Sequence, residues 1–64
     1  MTDRRSSILA AARRAIAARG FAATSMAHIA REAGVAQALL HYYFVTKEAL
    51  FLAVMEASYE RIRT

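Results

Sequence analysis

The 64-residue sequence predicts an all-α fold, and composition is the first reason. Hydrophobic residues make up 58% of the chain, and sixteen of them are alanines, which have the highest helix propensity of any residue. Proline is absent and glycine occurs only at Gly20 and Gly34, so strong helix breakers are confined to two points. We therefore expect one domain, 1–64, of a few helices that end near these glycines.

The first helix is predicted by apolar residues at spacings of three and four, which form one buried face. These residues are Ile8, Leu9, Ala12, Ala15 and Ile16. The pattern predicts a helix over about residues 5–19, followed by Gly20 in a left-handed conformation and Phe21 folding back as an apolar plug.

A second, shorter helix is predicted at about residues 26–33. Thr24 and Ser25 precede it and supply hydroxyl acceptors, as an N-cap does. Its apolar side consists of Met26, Ile29, Ala30 and Ala33.

Gly34 ends this helix, and only Val35 and Ala36 separate it from the next helical series. Such a short connection requires a sharp turn, so the spacing predicts a helix-turn-helix over about residues 25–44. The core between its two helices is expected to hold Ile29, Val35 and Leu40.

Each residue of an α-helix is rotated by about 100° from the one before it, and this rotation divides the residues of the third helix between two faces. Leu40 and Phe44 fall toward the core, with Tyr43 at its edge. The outward face consists of Gln37, Ala38, His41 and Tyr42. An exposed, partly stacked aromatic pair is the alternative to a ligand contact for His41 and Tyr42.

A fourth helix is predicted over about residues 47–62, with Thr46 as its cap. Its apolar side is expected to include Leu50, Phe51, Val54, Ala57 and Ile62.

The charge pattern suits a polyanionic partner. The chain carries nine Lys and Arg residues against five Asp and Glu, a net charge of +4, and seven of the nine basic residues lie within residues 1–47. A basic surface attracts nucleic acid, but arginines on an ordinary solvated face explain the same numbers equally well.

Two segments of the sequence resemble a known protein family. The first is Phe21-x-x-Thr24-Ser25-x-x-x-Ile29-Ala30-x-x-Ala33-Gly34-Val35, and the second is Leu40-His41-Tyr42-Tyr43-Phe44-x-x-Lys47-Glu48-Ala49-Leu50-Phe51. Together they resemble the N-terminal DNA-binding domain of the TetR (tetracycline-repressor) family of bacterial transcriptional regulators. The resemblance implies a three-helix, homeodomain-like bundle whose fourth helix leads into a C-terminal domain, absent from this chain, that dimerises and binds a small-molecule effector.

The resemblance also implies site residues in two groups. By matching position, Gln37, Ala38 and His41 are expected to face DNA bases. Ser25, Tyr42, Tyr43 and Lys47 are expected to face phosphates. Leu39, at the helix edge, either touches a thymine methyl group or pads the helix.

Four positions depart from the family's common pattern. Ala36 stands where a serine often caps the third helix, and Ala38 replaces a frequent glycine. Leu39 replaces a small or hydroxyl residue, and His41 replaces the usual tyrosine. We therefore expect the base contacts of this chain to differ from those of other members.

The implied function is sequence-specific binding of double-stranded DNA, most often to repress transcription at a near-palindromic operator. The protein is expected to be cytoplasmic, because the sequence has no apolar run near the roughly 20 residues that span a bilayer and no signal peptide.

Other functional classes fit the sequence less well than DNA binding. An enzyme, a metal site or a cofactor is not expected, because His28 and His41 lie on different helices without cysteine or a ligand series. A helix that lies on a membrane surface is an alternative, as is an assembly role for the fourth helix.

Overall fold

The structure, a computed structural model, describes residues 3–63, with side chains for residues 3–60. It contains four helices: α1 (Arg4–Arg19), α2 (Met26–Ala33), α3 (Gln37–Tyr43) and α4 (Lys47–Arg63). All regular structure within the described residues is helical, so the all-α prediction is confirmed. The side chain of Ile62, predicted to lie on the apolar side of α4, is outside the described residues.

The core lies where α1 packs against both α2 and α4 and α2 packs against α3. Its buried members are Ile8, Ala12, Ala15, Ile29, Ala30, Leu40, Phe44, Leu50, Ala53 and Val54. The inward position of Leu40 and Phe44 is therefore confirmed, while Val35 and Tyr43 pack against this core from its edge.

The buried face of α1 differs from the predicted stripe by a small rotation. Ala11 is fully buried beside Ile8 and Ala12, whereas Leu9 and Ile16 are only half-buried. The small alanine side chains are thus fully enclosed, while Leu9 packs against the core from its edge.

The turn between α2 and α3 is built around Gly34, which is left-handed with φ 72° and ψ 33°. Its N–H donates to the Arg31 carbonyl at 3.2 Å, and the Val35 N–H donates to the Ala30 carbonyl at 3.0 Å. This pair of bonds is a Schellman motif, which satisfies the last carbonyls of α2. The predicted helix-turn-helix is confirmed.

The loop between α1 and α2 differs from prediction at both ends. Gly20 has the positive φ that was expected, at 86°, but its ψ of 159° lies outside the left-handed helical region. Thr24 was predicted as a capping acceptor. Its buried hydroxyl instead donates to the Gly20 carbonyl at 2.7 Å, because it faces the loop interior, and Ser25 alone caps α2.

Phe21 folds back as predicted and packs on α4. Its ring lies 4.9 Å from the Phe51 ring, centroid to centroid. Within the described part of the chain, no single helix is long and apolar enough to span a membrane, although α3 and Lys47–Glu60 pass that test together as a pair bent by 63°.

The two glycines give a paired prediction about stability. A Cβ added at either position meets no atom within 4 Å, so backbone conformation alone sets the cost. Gly34→Ala should destabilise by about 1 kcal/mol, the cost of a left-handed residue. Gly20→Ala should cost roughly 2–3 kcal/mol, because its φ and ψ are nearly exclusive to glycine.

Urea unfolding of both variants measures the two costs. Asparagine tolerates the left-handed helical region, so Gly34→Asn should recover part of the loss while Gly20→Asn should not. Equal costs at the two glycines, or equal recovery by asparagine, would contradict this account.

Candidate nucleic-acid interface

The two faces of α3 are sharply different in exposure. Leu40 and Phe44 are 0% and 5% exposed, whereas Tyr42 is 80% exposed. Gln37, Ala38 and His41 are also exposed. The predicted division of the helix is confirmed, because one side supplies the core contact and the other presents polar and aromatic groups to solvent.

Leu39 and Tyr43 lie between these faces, and each is half-buried. The rings of Tyr42 and Tyr43 meet edge to face, with centroids 5.4 Å apart. Tyr43 also packs against the core, so it supports the position of the more exposed Tyr42. A stacked aromatic pair is present, but it is formed by the two tyrosines.

Backbone bonds and packing hold α3 in place without a side-chain cap at its start. Ala36 occupies the N-cap position in an extended conformation, where serine would add about 1 kcal/mol of stability. The Leu40 N–H donates to the Ala36 carbonyl at 3.1 Å, and the Phe44 N–H donates to the Leu40 carbonyl at 2.9 Å. Leu40 therefore anchors this helix through both its side chain and its backbone.

The ring of His41 is oriented by a hydrogen bond to the loop that follows α3. Its Nδ1 lies 3.1 Å from the Val45 carbonyl oxygen. A carbonyl can only accept, so Nδ1 carries a proton, and in the neutral ring Nε2 is then an acceptor. Nε2 is the ring nitrogen left for a partner outside the chain.

Ser25 lies at the N-terminus of α2, where its side chain has two functions available. Its Oγ accepts from the His28 N–H at 3.0 Å, so it caps the helix. A hydroxyl has one proton to donate besides its acceptor pairs, and this proton remains available to an anion. Thr46 caps α4 in the same way, because its Oγ1 accepts from the Ala49 N–H at 3.0 Å.

The ammonium of Lys47 is turned into the α1–α2 loop. Its Nζ donates to the Phe21 carbonyl at 2.8 Å and to the Thr24 carbonyl at 2.9 Å. It also lies 4.3 Å from the centroid of the Phe21 ring. Two of its three donors are therefore used within the chain, and the expected phosphate contact depends on the third.

Sequence reasoning missed these contacts because they join residues 26 and 23 positions apart. Nothing in the order of residues along the chain indicates that the Lys47 ammonium bonds to the carbonyls of Phe21 and Thr24. The Phe21 ring packs 4.9 Å from the Phe51 ring of α4, which places the loop beside this helix.

The charged groups near α3 include a cation at its C-terminal end. No acidic residue occurs in α3, and Arg5 lies 5.3 Å above the Phe44 ring, at the C-terminal end of that helix. At the start of α1, the Ser6 N–H donates to the Asp3 carboxylate at 2.7 Å. This backbone bond lowers the pKa of Asp3, which therefore stays charged as the N-cap of α1.

The described residues do not form a cluster of metal-ligating side chains. Within residues 3–60, no three His, Cys, Asp or Glu side chains come together as they would around a metal ion. The buried side-chain polar atoms in the same part of the chain all have hydrogen-bond partners.

A tight turn joins two short helices, and the second of them presents polar side chains within a basic chain. This arrangement defines the class of helix-turn-helix DNA-binding domains. A family model described as "Bacterial regulatory proteins, tetR family" matches residues 8–54. The chain belongs to this family, and its helix-turn-helix lies within the matched residues.

Curated relatives agree with this assignment. The HTH-type transcriptional regulator BetI of Rhizobium meliloti (strain 1021) is 42% identical over 60 residues, which is 94% of this chain and 30% of that protein. Proteins of the same name from Brucella anthropi and Brucella canis are each 48% identical over 52 residues, 81% of this chain and 27% and 26% of theirs. The chain thus spans less than a third of these relatives, and no solved structure matches it significantly.

The His41 geometry predicts that this ring contributes to DNA binding through Nε2, because Nδ1 is already engaged with the Val45 carbonyl. His41→Ala should therefore weaken binding to duplex DNA, as measured by fluorescence anisotropy at constant salt and pH. His28→Ala is the control and should leave the affinity close to that of the wild-type chain. Equal affinities for His41→Ala and the wild-type chain would contradict the prediction.

Proposed function

We propose that this chain binds double-stranded DNA by placing α3 in the major groove, as the DNA-binding part of a longer transcriptional repressor. The observation that carries the proposal is the exposure of one side of α3 while Leu40 and Phe44 bury the other. A helix anchored on one side and polar on the other can enter a groove about 12 Å wide without losing its core contacts.

Base recognition is assigned to four residues of α3. Gln37 is exposed at the first position of the helix, and a glutamine amide can pair bidentately with adenine N6 and N7. His41 offers Nε2 to a base edge. Ala38 and the half-buried Leu39 offer only apolar contact, which suits a thymine methyl group.

Phosphate contacts are assigned to Ser25, which precedes α2, and to two tyrosines at the C-terminal end of α3. The Ser25 hydroxyl lies at the N-terminus of α2, where unpaired backbone N–H groups also favour an anion. Tyr42 and Tyr43 carry hydroxyl donors at the C-terminal end of α3. Such contacts fix the register of the protein on DNA without reading its sequence.

The full-length regulator is proposed to act as a homodimer in the cytoplasm, where bacterial DNA lies. Two copies of α3 about 34–36 Å apart would read a near-palindromic operator. The remaining two-thirds of the length, present in the relatives, would supply dimerisation and the small-molecule effector site. Binding at the operator would block transcription without any catalytic step or cofactor.

Titration of a fluorescent duplex of mixed sequence tests the function itself. Anisotropy should show saturable binding at about 50 mM salt and near-complete loss at about 200 mM, because phosphate contacts release counterions. A single domain lacks the second half of the dimer, so its Kd should lie near the nonspecific range of roughly 10⁻⁴ to 10⁻⁶ M. Absence of binding at both salt concentrations would refute DNA recognition by this chain.

Two substitutions on the same helix separate base reading from backbone contact. Gln37→Ala should reduce discrimination at one base pair by about 1–3 kcal/mol. Tyr42→Phe removes one hydroxyl and should weaken all sequences to a similar degree. The measurement is competition among duplexes that differ at single positions, with the full-length dimer carrying each substitution.

Tyr42→Phe is the matched control, because it keeps the ring and its contact with Tyr43. Parallel losses of affinity in both variants, with no position-specific change for Gln37→Ala, would show that the two roles have been assigned wrongly.

A further inference from the structure

The α1–α2 loop is fixed from two sides by hydrogen bonds to its carbonyl groups. On the inside, the buried Thr24 hydroxyl donates to the Gly20 carbonyl at 2.7 Å. On the outside, the Lys47 ammonium donates to the carbonyls of Phe21 and Thr24 at 2.8 and 2.9 Å. The Thr24 N–H also donates to the Phe21 carbonyl, at 3.2 Å, which closes the turn between them.

An ammonium group suits this position chemically. It presents three donors around one atom, so it can reach two carbonyls that point toward it from different directions. Hydrogen bonds to a charged donor are roughly twice as strong as neutral ones. The Phe21 ring, 4.3 Å away, adds the attraction between a cation and an aromatic face.

The position of the Thr24 carbonyl gives these contacts a consequence for DNA binding. This carbonyl belongs to the peptide group that joins Thr24 to Ser25, the N-cap of α2. A bond from Lys47 to that peptide group fixes the direction in which the Ser25 side chain and the first N–H groups of α2 point. The same lysine is the first residue of α4, so it links α4 to the start of α2.

We propose that Lys47 is a positioning residue: its ammonium holds the α1–α2 loop against the start of α4 and thereby orients Ser25 and the N-terminus of α2 toward a DNA phosphate. This inference rests on the proposed function, because it takes Ser25 as a phosphate contact. It differs from a direct charge contact, in which the lysine itself would neutralise a phosphate. The two roles predict different responses to salt.

The first measurement uses the chain without DNA. Lys47→Met keeps most of the side-chain stem and removes the charge and all three donors. Amide signals of residues 22–28 should shift in the ¹H–¹⁵N spectrum, while those of the first half of α1 stay in place. Changes confined to residues 46–50 would overturn the positioning role.

The second measurement is a double-mutant cycle on DNA affinity. Lys47→Met should weaken binding severalfold, because the Ser25 hydroxyl and the first N–H groups of α2 lose their orientation toward the phosphate. The slope of log K against log [salt] should stay close to the wild-type value, because no direct contact between a charge and a phosphate is lost. Ser25→Ala should weaken the wild-type chain severalfold but change the Lys47→Met variant less than about twofold, because the serine is already misplaced.

A direct phosphate contact gives the opposite pattern. The salt slope would then fall by about 0.9, and the effect of Ser25→Ala would be the same in both backgrounds. Either result overturns the proposal. Arg13→Met is the charge-matched control, because Arg13 is exposed and lies beside Val54 and Ser58, roughly 10 Å or more along α4 from Lys47. It should leave the Ser25→Ala effect unchanged.

A measurement on the wild-type chain covers the case in which Lys47→Met does not fold. The Lys47 Nζ and Cε signals should be shielded by the Phe21 ring and should keep that shielding when DNA is added. Loss of the shielding on DNA addition would mean that the ammonium leaves the loop for a phosphate, and the proposal would be overturned.

The two proposals fail separately. A wild-type chain that does not bind DNA refutes the proposed function and with it the orientation toward a phosphate. The DNA-free spectra still decide whether Lys47 holds the loop.

Discussion

The constraint on which the interface depends is the shortness of α3. An isolated helix of seven residues is not stable in water, because nucleation costs more than so few hydrogen bonds return. Ala36 gives it no side-chain cap, so its helical form depends on burying Leu40 and Phe44 in the core that α1, α2 and α4 share. The outward face supplies none of these core contacts, so it can present polar groups to a partner while the helix stays packed.

The turn and the loop around α3 and α2 fix where these two helices lie relative to α4. The Schellman turn at Gly34 fixes the angle between α2 and α3 through two backbone bonds. The α1–α2 loop is tied inward by Thr24 and outward by Lys47, so the N-terminus of α2 has a defined place relative to α4. A chain of this size buries only about 60% of its unfolded surface, and such polar ties supply order where the core is small.

The sequence predicted what local geometry controls. The helices, their caps at Ser25 and Thr46, and the two faces of α3 follow from rotation per residue and from capping chemistry, which depend on neighbours along the chain. The sequence could not predict contacts that depend on how helices meet. Ala11 is fully buried whereas Leu9 packs against the core from its edge. The Thr24 hydroxyl bonds to the Gly20 carbonyl, and the Lys47 ammonium bonds to carbonyls more than twenty residues away. The role of each interface residue on DNA is likewise set by the partner, so the sequence indicates candidates and no contact distances.

The central claim is that the exposed face of α3 and the N-terminus of α2 form one DNA-binding surface. The most direct test follows the backbone amide signals of the ¹⁵N-labelled chain as a DNA duplex is added at about 50 mM salt. We expect the largest shifts in residues 25–28 and 37–42. Shifts concentrated on the arginines of α1, with α3 unchanged, would contradict it, because DNA would then be held by general charge attraction on another face.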